Sequence, residues 1–98
     1  MDTCTCHKTK KRDPEEVTRL IHRLNRIEGQ IRGLRRMVEE ERYCPDILTQ
    51  TAAASAALSA FSRELLDAHV RTCVTEDIRA GREETVEELL TTLQKLMK

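Results

Sequence analysis

The stretch CPDILTQTAAASAALSAFSRELLDAHVRTC, residues 44–73, decides the fold. Its only Pro is Pro45, and neither Gly nor Pro recurs until Gly81. Cys44, Ile47, Thr51, Ala54, Leu58, Phe61, Leu65, Ala68 and Thr72 follow one another at alternating steps of three and four, the spacing of a seam on a packed helix. Pro45 near the first helical position and Asp46 in the first turn mark its start, and Gly81 suits a cap or a break at its end. The reading is one long helix with its reactive side chains at the two ends.

His69 and Cys73 are four residues apart, so on a helix they lie one turn apart on the same face and are placed to share a metal ion. Cys44 sits about 37 Å from His69 along a continuous helix and cannot join them in one chain. An antiparallel pair of such helices removes the conflict, because the start of one lies beside the end of the other. Cys44 would then face a point near residue 71 of a second copy, and the two-fold axis would cross near residues 57 and 58, inside TAAASAALSA. Small side chains there allow close approach of two backbones; strong helix propensity of Ala is an equally good account of the run. Two thiolates and an imidazole suit Cu(I), or Zn(II) with a fourth ligand. The plain alternative is that Cys44 and Cys73 are small apolar residues and His69 a satisfied core histidine.

Upstream, DPEE offers Asp13 as N-cap, Pro14 at the first helical position and Glu16 at the capping-box position. Val17, Leu20, Ile21, Leu24, Ile27, Ile31, Leu34 and Val38 then form one apolar stripe on a helix of about six turns. Gly29 and Gly33 interrupt it at about 1 kcal/mol each relative to Ala, which predicts close approach of another helix. Downstream, Val86, Leu89, Leu90, Leu93 and Leu96 mark a shorter amphipathic helix. No segment alternates with period two, so the expected fold class is all-α, with three helices of which the second is longest.

A chain of 98 residues with one Phe, one Tyr and no Trp has little bulky apolar material to bury, which predicts an obligate oligomer. No apolar run reaches a membrane span and the N-terminus carries no hydrophobic signal region, which points to a soluble, cytoplasmic protein. In a reducing compartment the four Cys are expected as thiols, metal ligands or redox sensors.

Residues 1–36 hold ten Lys or Arg against five Asp or Glu, leaving seven against twelve in residues 37–98. Residues 1–12, MDTCTCHKTKKR, lack periodicity and are expected to form a mobile basic arm ahead of a domain spanning 13–98. Arg19, Arg23 and Arg26 fall along one polar stripe of the first helix, Arg32, Arg35 and Arg36 form a second cluster, and Lys10 and Lys11 extend the charge. Such a surface binds phosphates by counterion release; a solvated helix face, interrupted by Glu28, is the competing account. No helix-turn-helix pattern, zinc finger or aromatic stacking platform is present.

Tyr43-Cys44 with the DIL that follows, H-x-x-x-C at His69 and Cys73, RLNRIEGQIRGL at 23–34 and VEELL at 86–90 resemble the copper-sensing CsoR repressors and their relatives over roughly residues 17–97. The resemblance implies three helices, an antiparallel dimer, a dimer-of-dimers tetramer, and operator DNA bound in the metal-free form and released on Cu(I). It implies Cu(I) held by Cys44 of one protomer and His69 and Cys73 of the other, with Tyr43 and Glu88 orienting the imidazole. Nickel and cobalt sensors of this family carry His at the position of Cys73, persulfide sensors carry Cys at that of His69, and formaldehyde sensors have Pro directly after the initiator Met, where this chain has Asp2. Copper fits best, with Ni(II), Zn(II), formaldehyde or reactive sulfur as alternative inducers.

Two features depart from that pattern. Cys4, Cys6 and His7 form a possible accessory metal cluster, and Ser55 and Ala60 are small where relatives often carry longer polar or basic side chains. Among other classes, an enzyme using Cys44 and His69 as thiol and base lacks any oxyanion-hole or pocket signature. A metal carrier would use the same three ligands without needing the basic stripe.

Overall fold

The computed structural model describes residues 12–97. All the regular structure in them is helical: α1 (Pro14–Glu39), α2 (Cys44–His69), a π-helical turn (Val70–Val74), α3 (Thr75–Arg79) and α4 (Glu84–Leu96). The chain divides into two compact units, Asp13–Leu65 and a second that contains Leu66 onward. No helix among the described residues is long and apolar enough to cross a membrane.

The first unit is an α1–α2 hairpin. Pro14 occupies the first turn as expected, but Asp13 makes no side-chain cap bond although it stands at the N-cap. The linker closes with a Schellman pair: the Glu41 N–H donates to the Val38 carbonyl at 3.1 Å and the Arg42 N–H to the Met37 carbonyl at 2.9 Å. Glu41 takes the left-handed conformation that this motif needs, at φ 54°. Glu41→Gly is therefore expected to stabilise the hairpin by about 0.5–1 kcal/mol, relief of the Cβ clash outweighing the added freedom of the unfolded chain. The check is an upward shift of the urea midpoint with an unchanged m-value.

The apolar stripe of α1 splits in two. Leu20 and Ile27 are buried and Leu34 half-buried, whereas Val17, Leu24, Ile31 and Val38, also seven residues apart, stay exposed, Ile31 at 52% and Val38 at 62%. A helix of 26 residues presents more apolar face than one neighbour of the same length covers. The expected close approach at the glycines is absent within the protomer: a Cβ on Gly33 would meet nothing within 4 Å, and one on Gly29 only the end of the Arg32 side chain.

The second unit begins where the long helix loosens. The sequence predicts an uninterrupted α-helix up to Gly81, but the ladder widens to i→i+5 bonding at Val70–Val74 before α3 resumes. Val70, Thr72, Val74 and Thr75 are all β-branched and crowd a helix turn. The Thr72 hydroxyl donates to the Ala68 carbonyl at 2.7 Å and the Thr75 hydroxyl to the Val70 carbonyl at 2.8 Å, drawing acceptors away from the regular ladder. The helical run over residues 44–79, with the π turn inside it, is still longer than α1 at 26 residues, so the three-helix reading holds with the second helix longest.

α3 ends as the glycine predicts. The Gly81 N–H donates to the Ile78 carbonyl and the Arg82 N–H to the Asp77 carbonyl, with Gly81 at φ 83°, a second Schellman close. α4 packs back on the π turn and on α3. Cys73, Val74, Asp77 and Thr85 are buried in this unit, among the described residues.

Candidate functional site

The residues singled out for metal binding occupy the ends of α2 and the turn beyond it. Cys44 opens α2 as an exposed free thiol. The carbonyl of Tyr43 just before it accepts from the Asp46 and Ile47 N–H groups at 3.0 and 3.2 Å, which fixes the helix start; the Tyr43 side chain is exposed. His69 closes α2 half-buried, and Cys73 follows inside the π turn at 1% exposure, with the Thr72 hydroxyl 3.7 Å from its Sγ. π-helical turns recur at functional sites because the widened ladder re-aims side chains.

Cys73 is disulfide-bonded in this structure, and it is the reduced thiolate that could serve as a metal ligand. Of the expected thiols, metal ligands or redox sensors, Cys44 is a free thiol and Cys73 is not. Glu88 lies on the exposed surface of α4, and among the described residues no hydrogen bond joins Glu88 or the Tyr43 hydroxyl to His69. Within one protomer no three His, Cys, Asp or Glu residues among those described come together as a metal site. Cys4, Cys6, His7, Lys10 and Lys11 lie outside the described residues.

The basic stripe is less uniform than its spacing. Arg19 and Arg23 both donate through Nε to Glu64 of α2, at 3.0 and 2.5 Å. Arg35 pairs with Glu39 at 3.3 Å and Arg32 with Glu28 at 4.0 Å, both exposed pairs along the helix and worth little. Arg26 and Arg36 have no carboxylate partner among the described residues. Glu64 is not visible as a functional residue in the sequence, because its partners lie 45 and 41 positions away.

Hydrogen bonds from Arg19 and then Arg23 hold the Glu64 carboxyl below the ordinary range, against a smaller opposing effect of burial. A carboxylate with a depressed folded-state pKa adds stability that is present above its unfolded value and lost as pH falls through the folded one. The hairpin should therefore lose stability on acidification below about pH 4.3. Glu64→Gln should be less stable than wild type at neutral pH and converge with it in acid, a comparison made by urea melts across that range.

Known proteins share this fold. The model of the metal-sensitive transcriptional repressor family matches residues 16–95. The chain belongs to that family. It is 42% identical to the copper-sensing transcriptional repressor CsoR of Bacillus subtilis (strain 168) over 94 residues, covering 94% of this chain and 93% of that one. The crystal structure of the copper-sensing repressor CsoR with Cu(I) from Geobacillus thermodenitrificans superposes with a TM-score of 0.87 at 42% identity, covering 92% of this chain and 95% of that one. The nickel-responsive transcriptional regulator InrS superposes at 0.71 with 38% identity, covering 91% and 98%. The family consists of transcriptional repressors, not enzymes. The all-α class is shared with these relatives, and DNA is the partner that membership implies.

Proposed function

We propose that this chain is a Cu(I)-responsive repressor that holds operator DNA when metal-free and releases it when Cu(I) is bound between two protomers. The observation that carries the reading is that Cys44 and His69 are the first and last residues of one helix. An antiparallel pair of α2 helices brings Cys44 of one protomer to His69 and Cys73 of its partner, at two equivalent sites. Leu58, half-exposed amid the small residues at mid-helix, and the uncovered seam of Val17, Leu24, Ile31 and Val38 give apolar surface for a dimer and then a tetramer. Two thiolates and one imidazole form a soft donor set that suits Cu(I). Tyr43 and Glu88 are assigned to orienting His69 once the partner helix completes the site.

For metal to weaken the hold on DNA it must bind the DNA-incompetent form more tightly, by the same factor by which DNA weakens metal binding. The basic residues of α1, with Lys10 and Lys11 of the arm, supply the phosphate contacts. The soluble, cytoplasmic setting follows from a DNA partner. The test is a gel shift of reduced protein on its promoter DNA with Cu(I), Ni(II), Zn(II) or formaldehyde added. Cu(I) is expected to abolish the shift; a shift that survives Cu(I) but is lost with another inducer would show that the site serves that inducer.

A further inference from the structure

The geometry points to a phosphate-binding groove on the hairpin, between Arg26, Gln30 and Arg36 of α1, Arg42 of the linker and Gln50 of α2, as the seat of a DNA backbone phosphate. The assignment rests on the repressor reading and narrows it from a basic helix face to one place on it.

Charge and pairing select the groove. No acidic residue lines it, and Arg26 and Arg36 are the arginines of the α1 stripe without a carboxylate partner among the described residues. Arg42 is held only by an exposed contact with Glu40 at 3.7 Å. Arg19 and Arg23, in contrast, each commit Nε to Glu64, whose carboxylate offsets part of their charge. Guanidinium groups that are already unpaired avoid that offset.

The floor of the groove has the same bias. Gly29 and Gly33 stand one turn apart on its wall, and the space above Gly33 is open beyond 4 Å. The cost of two glycines inside a helix is then accounted for by a backbone left bare for a ligand, since no neighbouring helix takes the space in the protomer. Gln30 also lines the groove, and its carboxamide N–H is a donor suited to a phosphate oxygen.

The experiment measures binding of a fluorescein-labelled mixed-sequence DNA duplex by anisotropy across a salt series, since phosphate contacts are independent of sequence. Arg26→Ala/Arg36→Ala is expected to bind at least tenfold more weakly, with the slope of log affinity against log salt reduced by about 0.9 for each phosphate that is no longer neutralised. Gly33→Glu, which puts a carboxylate into open space, is expected to weaken binding similarly, and Gly33→Ala, which adds only a methyl to the bare backbone, to weaken it less. Sedimentation of each variant should report the wild-type oligomer. Wild-type affinity and slope in the double variant would overturn the assignment while leaving the repressor reading intact. A changed oligomeric state in Gly33→Ala or Gly33→Glu would also overturn it, because the groove would then be filled by a second copy. Failure of the wild type to bind the duplex at all would sink both.

Discussion

Asp77→Ala is expected to destabilise the second unit by about 3 kcal/mol, seen as an early loss of helix signal on heating and faster amide exchange in α4. Asp77 is fully buried, a position carboxylates rarely occupy unless paired. Its Oδ1 accepts from Arg82 Nε at 3.1 Å and Nη2 at 2.8 Å, and its Oδ2 accepts a short hydrogen bond from Thr85 Oγ1. Alanine removes these charge-assisted bonds and leaves the Thr85 hydroxyl, at 1% exposure, without that acceptor. Such an orphaned group alone costs about 1–3 kcal/mol. The Arg82 side chain is 49% exposed, so its freed charge passes to water, which keeps the loss at the low end of what breaking a buried ion pair costs. Thr85→Ala should cost about half as much, and Thr85→Ser little. Wild-type melting of Asp77→Ala would mean that apolar contacts alone hold α4 on the π turn and α3. Because α4 carries Glu88, the same variant should also blunt the DNA response to Cu(I) under the proposed function.

How much of this is legible in the sequence depends on how far apart the interacting residues lie. Helix positions, Pro14 at the start of α1, the start of α2 at Cys44 and the Gly81 close all depend on neighbours within a turn, and periodicity and capping residues locate them correctly. The π turn is not legible, because Thr72 and Thr75 are compatible with either ladder until their hydroxyls choose an acceptor. The division of the α1 stripe into buried and exposed seams escapes for a different reason: periodicity says which side chains share a face, but not how wide a face one neighbour covers. Asp77 leaves no signal either: it stands in the first turn of α3, where a carboxylate suits the helix dipole, and its partners Arg82 and Thr85 lie beyond the helix end. The proposed metal site is legible only as a contradiction, three suitable ligands with a rod between them, which the proposed antiparallel pairing would resolve.

Mixing two inactive proteins should therefore restore copper binding. Cys44→Ala and the double variant His69→Ala/Cys73→Ala are each expected to lose stoichiometric uptake of Cu(I), because every site in either homodimer lacks a ligand. In a dimer formed from one of each, one site combines the intact Cys44 with the intact His69 and Cys73, and the other site lacks all three. Random pairing at equal amounts makes about half of the dimers mixed, so capacity should return to about a quarter of wild type. Co-refolding under reducing conditions keeps Cys73 available, and titration against a Cu(I) chelator reads the capacity. A site built within one chain predicts no recovery on mixing. Uptake by the arm cysteines predicts binding in both parents before mixing, and Cys4→Ser/Cys6→Ser in both backgrounds would remove it. Recovery to about a quarter in that arm-substituted background is expected only of a site divided between the start of one α2 and the end of its antiparallel neighbour.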